Sequence, residues 1–360
     1  MSYRFVISGG GTGGHIYPAI AIADALKKVY PDSELVFVGA KGRMEMELVP
    51  KAGYPIKGLW ITGIQRNLSL RNLLLPFMIA SSLIKSLLFL LKFKPDYVVG
   101  TGGFASGPLL FVTAKLKIPY LIQEQNAFAG LTNKWVSSKA DAICVAYPDM
   151  DRYFPKSKVV VTGNPIRSSL VSNEIDRETA LKLYRFNASD KVILMLGGSL
   201  GSAAMNKWLS ENLYFITSHG FSVLWQSGKS YYNTYKRFES ESVRVVPFIE
   251  NMGAAYRLAS GIISRAGAGA ISELARVGKP TLFIPSPLVA EDHQTKNAES
   301  MVALDAAMML LESQMLDSTI IANFLNYIKS EDPEMGNRFK AQARPKAAQS
   351  IVQLISNRLG

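Results

Sequence analysis

Cysteine and histidine are scarce in this sequence. The 360 residues contain one cysteine, Cys144, and three histidines. A single cysteine excludes an intramolecular disulfide and a cysteine cluster that would hold zinc or an iron–sulfur centre, and it fits a reducing compartment. Cys144 lies in the apolar run of residues 142–146. This position predicts a buried side chain rather than a nucleophile.

Export signals and nucleic-acid motifs are also missing. The N-terminus lacks a basic region followed by an apolar core and a small-residue cleavage site, so we expect no export signal. Zinc-finger spacings, basic heptad regions and aromatic ribonucleoprotein segments are absent, so we expect no nucleic-acid partner. Charged residues make up 19% and hydrophobic residues 48%, which describes a globular chain. A length of 360 residues favours two domains.

Positive charge is concentrated in the first half of the chain. Residues 1–162 hold 19 Lys and Arg against 10 Asp and Glu, a net charge of +9. The remainder holds 21 against 18, a net charge of +3. A basic half can meet nucleic acid, anionic lipid or phosphorylated ligands, and without a nucleic-acid motif the last two remain.

A leucine-rich segment over residues 73–91 raises the question of a membrane span. Pro76 and Lys85 interrupt it, and a lysine at mid-bilayer would be costly. Basic residues at both ends give no inside–outside bias; they are Arg66, Arg71, Lys92 and Lys94. We therefore predict a buried or surface-lying helix, whose apolar face and basic flanks would bind anionic lipid if it lies at the surface.

The stretch Ser8-Gly9-Gly10-Gly11-Thr12-Gly13-Gly14-His15 is the most informative part of the chain. The apolar run of residues 3–7 predicts a strand before it, and residues 16–26 follow with helical apolar spacing. A strand, a glycine turn and a helix bring bare backbone N–H groups close to an anion at the helix N-terminus. A histidine where the turn opens into the helix can act as a base near neutral pH.

The same pattern returns along the chain. Apolar runs that end in polar or glycine turns predict parallel strands at residues 34–39, 96–99, 119–122, 191–196 and 261–264. Residues 191–202 loosely repeat the opening strand and glycine turn. We predict two doubly wound α/β domains with a hinge near residues 162–165, which bind ligands beyond the carboxyl ends of their strands.

Seven motifs, in this order, resemble those of the MurG family of peptidoglycan N-acetylglucosaminyltransferases. They lie at residues 9–15, 100–108, 124–127, 163–167, 197–199, 264–273 and 292–298. The resemblance covers nearly the whole chain and implies the GT-B fold, two doubly wound Rossmann-like domains with an interdomain cleft. It implies an acceptor and membrane-side domain at residues 1–162, joined by a C-terminal helix at about 339–360. Residues 163–338 are then the domain that binds UDP-GlcNAc.

The resemblance implies an inverting hexosyltransferase. Family members move GlcNAc from UDP-GlcNAc to the C4 hydroxyl of MurNAc in undecaprenyl-pyrophosphoryl-MurNAc-pentapeptide (lipid I). The product is lipid II for peptidoglycan, which links the reaction to cell shape and division. The implied location is peripheral, on the cytoplasmic face of the bacterial inner membrane, with the anionic lipid surface and other cell-wall synthesis proteins as partners. We expect no bound metal and no other cofactor, because backbone amides and the helix dipole suit the departing diphosphate, and assistance by a free divalent ion stays an open alternative.

The resemblance also implies the site residues. His15 and Glu124 are the candidate bases. The acceptor diphosphate is assigned to Gly13, Gly14, Gly102 and Gly103. Binding of UDP-GlcNAc is assigned to Thr12, Gly13, Gly14, Asn126, Arg167, Ser199, Ile249, Ala268, Gly269, Ala270, Ile271, Ser272, Glu273 and Gln294.

The chemistry of these side chains fits the implied roles. Backbone N–H groups at a helix start suit a diphosphate, and Arg167 can add charge-assisted hydrogen bonds. Glu273 can accept the ribose hydroxyls, although a solvated helix carboxylate is the alternative. Asn126 and Gln294 offer amide groups to the hydroxyls of the sugar. Ile249 matches the family position whose backbone reads uracil.

Two positions depart from the family pattern. Family members often have histidine where this chain has Gln123, and glutamine where it has Leu200. The first departure leaves His15 and Glu124 as candidate bases, and the second puts a side-chain role at position 200 in doubt. We predict a solvated loop position for His219 and a positional role for His293.

Three other interpretations stay open at this point. A GT-B transferase that acts on another lipid, such as diacylglycerol, shares several of these loops. A nicotinamide-dependent oxidoreductase would use the first glycine turn, but the G-x-G-x-x-G spacing and the acidic residue after the second strand are missing. A non-catalytic nucleotide-binding module would have no need for His15. Equilibrium binding of UDP-GlcNAc, NADH and UDP-glucose would separate these classes.

Overall fold

A computed structural model describes residues 2–63, 74–166, 175–198, 200–289 and 292–360. The chain divides into two compact units. The first unit comprises residues 1–167 and 344–360, and the second unit comprises residues 168–343.

The first unit is built on a seven-stranded parallel sheet in the order β3-β2-β1-β4-β5-β6-β7. Its strands are β1 (Arg4–Gly9), β2 (Glu34–Ala40), β3 (Ile56–Leu59), β4 (Tyr97–Gly102), β5 (Tyr120–Glu124), β6 (Ala142–Val145) and β7 (Val159–Val161). The strand order reverses between β1 and β4, and such a switch point is where doubly wound sheets bind ligands.

Helices cover both faces of this sheet. They are α1 (Gly13–Val29), α2 (Glu45–Lys51), α3 (Leu75–Phe93), α4 (Gly107–Lys115) and α5 (Leu131–Val136). Successive residues of β1 enter different cores, because side chains alternate across a strand. Val6 packs with Val98 on one face, whereas Phe5 and Ile7 pack with α1 on the other.

The second unit repeats this plan with six parallel strands in the order β10-β9-β8-β11-β12-β13. Its strands are β8 (Lys191–Leu196), β9 (Phe221–Gln226), β10 (Val243–Val246), β11 (Ala259–Ser264), β12 (Thr281–Phe283) and β13 (Met308–Met309). The strands predicted from the sequence are confirmed within a few residues. The switch point of this sheet lies between β8 and β11.

The helices of the second unit surround a core that contains Trp208 and Trp225. They are α6 (Arg177–Leu183), α7 (Ala203–Ser218), α8 (Tyr232–Tyr235), α9 (Met252–Leu258), α10 (Ala268–Val277), α11 (His293–Val302), α12 (Thr319–Ser330) and α13 (Glu334–Ala341). Gln294 lies in the first turn of α11, which begins at His293.

The chain then returns to the first unit as α14 (Ala347–Leu359). Its residues Ile351 and Ile355 are fully buried in the core beside β1, and the Tyr30 hydroxyl donates to Ser356 Oγ at 2.7 Å. The helix start placed at about residue 339 falls inside α13, which belongs to the second unit. Pro345 separates the two helices, because proline cannot continue a helix and disfavours it one residue earlier.

Helix α3 exposes several of its large apolar side chains. Its buried line consists of Ser82, Ser86 and Leu90, and the Ser82 hydroxyl donates to the Trp60 carbonyl at 3.0 Å. The exposed apolar residues on it include Phe77, Ile79, Ile84, Leu87, Leu88 and Leu91. Within the described residues, α3 is the one helix that is long and apolar enough to cross a membrane, which is weak evidence for a span by itself.

Two smaller predictions have different outcomes. Cys144 is fully buried, as expected from its apolar run. His219 is half-buried at the C-terminus of α7, where Nδ1 lies 2.7 Å from the Phe215 carbonyl oxygen and the ring packs on that of Phe215. His219 therefore lies in the turn after α7, as expected, but its ring is only partly solvated because it packs on Phe215.

Candidate active site

The first glycine turn joins β1 to α1 at the switch point of the first sheet. Thr12 precedes α1, and its hydroxyl lies 3.0 Å from His15 Nδ1. Gly11 has a φ of +87°, a conformation that favours glycine. The first-turn amides of Gly13 and Gly14 stand at the positive end of the α1 dipole, which suits an anion.

The two glycine turns of the first unit meet at His15. The Thr101 hydroxyl donates to the His15 carbonyl at 2.8 Å. A Cβ at Gly102 would lie 3.1 Å from His15 Cδ2, and one at Gly103 would lie 2.2 Å from the Gly10 carbonyl oxygen. The structure therefore brings together His15 and the four glycines predicted for the acceptor diphosphate, and side chains at Gly102 and Gly103 would fill the space between the turns.

A buried carboxylate that the sequence analysis missed supports the first turn. Glu45 is fully buried at the start of α2 and accepts hydrogen bonds from the Gly11 N–H at 3.0 Å and the Ala40 N–H at 2.9 Å. A Cβ at Gly10 would lie 2.2 Å from Glu45 Oε1. Glu45 lies in a charged stretch that is typical of a surface, so no sequence signal separates it from solvated neighbours.

Glu124 is 1% exposed, and both carboxylate oxygens accept hydrogen bonds. Oε1 accepts from the backbone and side-chain amides of Asn126 at 3.1 and 3.2 Å. Oε2 accepts from the Gly130 N–H at 3.0 Å and from Asn133 Nδ2 at 2.9 Å. These four bonds tie the loop after β5 and the start of α5 onto the end of β5.

Gln123 belongs to a buried amide network. Its Nε2 donates to Asn164 Oδ1 at 2.9 Å, and Asn164 Nδ2 donates to the Gln125 carbonyl at 3.0 Å. Gln125 Nε2 donates to Gln123 Oε1 and to the Thr101 carbonyl. Gln123 thus joins β5 to the segment predicted as the hinge, a structural role for the first departure from the family pattern.

In the second unit, α10 begins directly after the turn that follows β11. Among the described residues, no heavy atom lies within 4 Å of where a Cβ would stand at Gly267 or Gly269. The helix start therefore has open space beside Gly267 and Gly269, and the positive end of the helix dipole there suits an anion. The side chain of Ile271 is buried, and the Ser272 hydroxyl donates to the Ala268 carbonyl at 2.9 Å.

Glu273 lies half-buried on α10 beside Tyr256 of α9, whose hydroxyl donates to Glu273 Oε2 at 3.4 Å. Burial, and then the charge of Glu273, raise the pKa of Tyr256 well above its ordinary value. Tyr256 therefore stays protonated and serves as a donor that orients this carboxylate. No sequence pattern predicts this pairing, because the two residues lie in different helices.

Arg265 links the loops on both sides of the second switch point. Its Nη2 donates to Ser202 Oγ at 2.5 Å, at the start of α7, and lies 2.6 Å from Glu312 Oε1. Its Nη1 donates to the Ile284 carbonyl at 3.0 Å. Arg265 thus fixes the glycine turn after β8 against the turn before α10, a role that the sequence analysis did not assign.

Two further residues predicted to bind the donor take part in hydrogen bonds between a backbone N–H and a glutamine side chain. The Ile249 N–H donates to Gln226 Oε1 at 3.2 Å, and Gln226 Nε2 donates to the Gly198 carbonyl at 3.0 Å. Gln294 Oε1 accepts from the Ser286 N–H at 2.9 Å. Arg167 and Ser199 lie outside the described residues.

The residues predicted for UDP-GlcNAc are divided between the units. Thr12, Gly13, Gly14 and Asn126 belong to the first unit, where Asn126 bonds to Glu124. The others that are described belong to the second unit. In each unit, therefore, a helix begins at the carboxyl edge of the sheet, and its N-terminus suits an anion.

Comparison with known proteins agrees with this architecture. Residues 5–145 match the glycosyltransferase family 28 N-terminal domain, and residues 192–354 match the glycosyltransferase family 28 C-terminal domain. The chain belongs to glycosyltransferase family 28.

Individual members of this family are similar to the chain over nearly its full length. A protein of Flavobacterium psychrophilum is 48% identical over 98% of this chain and 97% of its own length. A protein of Christiangramia forsetii is 48% identical over 99% of both chains. Both are named UDP-N-acetylglucosamine–N-acetylmuramyl-(pentapeptide) pyrophosphoryl-undecaprenol N-acetylglucosamine transferase. The crystal structure of Acinetobacter baumannii MurG superposes with a TM-score of 0.78 at 27% identity, over 99% of this chain and 100% of that chain.

Proposed function

We propose that this protein transfers GlcNAc from UDP-GlcNAc to the C4 hydroxyl of MurNAc in undecaprenyl-pyrophosphoryl-MurNAc-pentapeptide, with inversion, and so makes lipid II. The observation that carries the proposal is near-full-length identity of 48% to relatives that bear this activity as their name. The two helix-start sites, one in each unit, support it independently, because donor and acceptor each carry a diphosphate.

The second unit supplies the donor site in this proposal. The amides at the start of α10 stabilise the negative charge that grows on the diphosphate as UDP departs. Glu273, oriented by Tyr256, accepts the ribose hydroxyls. The backbone at Ile249 reads the uracil, and Gln294 contacts the GlcNAc hydroxyls. Arg265 holds the two turns of this site together through Ser202.

The first unit supplies the candidate base. The C4 hydroxyl of MurNAc gives its proton to His15 as its oxygen attacks the anomeric carbon from the face opposite UDP, which inverts that centre. Thr12 and the adjacent glycine turn hold the imidazole in place. We assign Glu124 a positioning role instead, because its oxygens already accept four hydrogen bonds from its own loop.

The glycine turns beside His15 are proposed to hold the acceptor diphosphate. Gly13 and Gly14 present first-turn amides of α1, and Gly102 and Gly103 leave room beside the imidazole. Binding the diphosphate next to the base would bring the attached MurNAc within reach of His15. Proximity of this kind accounts for a large part of the rate in two-substrate reactions.

The first unit is also proposed to dock on the cytoplasmic face of the inner membrane. Helix α3 turns Phe77 and Leu88, which are 68% and 62% exposed, away from the unit. Exposed lysines lie beside them at Lys85, Lys92 and Lys94. An apolar face with cations at its margins binds anionic lipid in the plane of the interface. Other proteins of cell-wall synthesis are proposed partners at this membrane.

The direct test is transfer of labelled GlcNAc from UDP-GlcNAc to a lipid I analogue in detergent micelles. The proposal expects a lipid II analogue with a β-linked GlcNAc. Diacylglycerol as acceptor and UDP-glucose as donor are the matched controls, and both should give little product. Faster transfer to diacylglycerol than to the lipid I analogue would show that the acceptor has been assigned wrongly.

A further inference from the structure

The segments that form the donor side of the second sheet lie in a row. The neighbouring strands β10, β9, β8 and β11 are parallel, so the segments after their carboxyl ends meet at one edge. Ile249 follows β10, Gly198 lies in the turn after β8, and α10 begins after β11. A nucleotide that spans this edge needs these segments at fixed distances from one another, because its base and its diphosphate contact different ones.

Gln226 connects two of these segments through its side chain. It is the last residue of β9, between β10 and β8, and it is 4% exposed. Its Oε1 accepts the Ile249 N–H at 3.2 Å, and its Nε2 donates to the Gly198 carbonyl at 3.0 Å. Arg265 extends the connection, because it binds Ser202 at the end of the same turn. One side chain thus links the segment after β10 to the turn after β8.

The backbone on both sides of Gln226 is also held. Asn206 of α7 accepts the Trp225 indole N–H at 2.8 Å through Oδ1. Its Nδ2 donates to the Ser227 carbonyl at 2.8 Å. A side-chain amide has one accepting and one donating end, so the partners of Gln226 fix its orientation as well. Gln226 is therefore a rigid bridge between the two segments.

The two backbone groups of Ile249 differ in their contacts. Gln226 takes the N–H, whereas the carbonyl accepts no hydrogen bond from any residue that the structure describes. Ile249 is buried and the preceding Phe248 is 47% exposed, so this carbonyl lies close to the surface. Buried carbonyls without a partner are uncommon in proteins. The Ile249 carbonyl therefore suits a ligand that donates a hydrogen bond.

A carbonyl in this place distinguishes the pyrimidine bases. Uracil carries a hydrogen on N3, which the carbonyl oxygen can accept, whereas cytosine has a lone pair there. Cytosine would set two acceptors against each other and leave both unpaired, which is costly in a buried site. It could bring its amino group to the carbonyl only by sliding, and Glu273, which holds the ribose in the proposed donor site, opposes that shift.

We propose that Gln226 is the residue that sets the base specificity of the donor site. By holding the Ile249 N–H and the Gly198 carbonyl, it fixes the Ile249 carbonyl where that oxygen accepts the N3–H of uracil. The inference rests on the proposed function, in which the backbone at Ile249 reads uracil. Gln226 acts through Ile249 without touching the base, so it is a positioning residue.

The test compares ligands that differ only in the edge of the base. Calorimetric titration of the full chain gives the dissociation constants of UDP, CDP and N3-methyl-UDP. Wild type should bind UDP at least about tenfold more tightly than either analogue, because both analogues lack the N3 hydrogen. Equal affinity for UDP and N3-methyl-UDP would overturn reading by the Ile249 carbonyl, and this measurement does not depend on the folding of any variant.

Variants then assign the effect to Gln226. Gln226→Met keeps the length of the side chain but removes both hydrogen bonds, so the preference for UDP over CDP should fall to about threefold or less. Gln226→Glu keeps an acceptor for the Ile249 N–H and should retain the preference, while repulsion from the Gly198 carbonyl weakens both ligands. The matched control is Gln342→Met, just after α13, which removes a bond to the Arg338 carbonyl. An unchanged preference in Gln226→Met, or its loss in Gln226→Glu, would refute the assignment.

Failure of this inference is distinguishable from failure of the proposed function. Wild type that bound neither UDP nor UDP-GlcNAc would contradict the proposed function, and this inference with it. Binding of UDP with a preference over CDP that Gln226 does not affect would leave the proposed function standing and refute only the role of Gln226.

Discussion

His15 and Glu124 are held in different ways, and their variants should differ accordingly. His15→Ala removes the proposed base and should lower kcat about 10²–10⁴-fold, with little change in the free energy of unfolding. Glu124→Gln replaces one carboxylate oxygen with an NH2 group, which removes the acceptor for two of the four hydrogen bonds, and should lower the free energy of unfolding by about 1–3 kcal/mol as well as the rate. Transfer assays and urea unfolding measure both quantities. Near-normal turnover in His15→Ala, with turnover lost and stability kept in Glu124→Gln, would reverse the assignment.

Glu273 and Gln294 should affect different parts of the donor. Glu273→Ala should weaken UDP and UDP-GlcNAc by similar factors, because the ribose is common to both ligands. Gln294→Ala should weaken UDP-GlcNAc more than UDP, because we place it on the sugar side. Tyr256→Phe should reproduce a weaker form of the Glu273 effect, since it removes the orienting hydroxyl. Calorimetric titration of each variant with both ligands checks this, and equal losses for both ligands in Gln294→Ala would contradict it.

The Cys144 thiol links stability to alkaline pH. Burial raises its pKa to about 12, whereas the unfolded thiol titrates near its ordinary value of 9.0. The folded state therefore keeps the proton longer, so this contribution is complete below pH 9 and is lost as the pH rises through about 12. Cys144→Ala should unfold with a smaller pH dependence between pH 8 and 11. The difference in urea midpoints between Cys144→Ala and wild type at each pH isolates the thiol from tyrosines such as Tyr256, whose pKa is also raised.

Among the elements, α3 carries the membrane prediction. Replacing Phe77, Ile84, Leu88 and Leu91 with Gln should abolish co-sedimentation with anionic vesicles and leave the fold intact, because these side chains are exposed. Removing the charges of Lys85, Lys92 and Lys94 should weaken binding mainly at low salt, since each contributes on the order of 1 kcal/mol. Tyr214→Gln with Leu316→Gln, exposed apolar residues of the second unit, is the control. Binding indifferent to lipid charge, salt and both variants would rule out this docking surface.

The elements also show where sequence reasoning succeeds. Strands such as β1 and β8 are continuous apolar runs before glycine turns, so both they and the parallel fold could be predicted. The orientation of α3 could not, because its buried line is Ser82, Ser86 and Leu90, and a helix this apolar has no polar face to mark the outside. The candidate site could also be predicted only in part. Glycine turns mark it, but Glu45 and Tyr256 contact it from other elements, and Arg265 binds Ser202 and Glu312, which lie far from it in the sequence. Only the fold makes those contacts visible.

At the scale of the whole molecule, the first unit depends on the end of the chain. Replacing Ile351, Val352 and Ile355 with Ala should lower the free energy of unfolding of the first unit by at least about 5 kcal/mol, because each buried truncation is costly. The matched variant, Gln349→Ala with Ser350→Ala and Gln353→Ala, changes outward-facing residues of the same helix and should be nearly neutral. Limited proteolysis with fragment mapping would show whether cleavage begins in the first unit. Equal behaviour of the two triple variants would contradict the role of α14.

This arrangement also sets an order of events during synthesis. Residues 168–346 must leave the ribosome before α14 exists, which takes about 10 to 40 s at ordinary bacterial rates of translation. Throughout that interval Phe5, Ile7 and Ile16 lack the helix that closes their core, and by its end the second unit has every residue it needs. The half of the protein that is made first is therefore completed last. A nascent chain that stalls before residue 347 would present an open apolar face to chaperones and proteases.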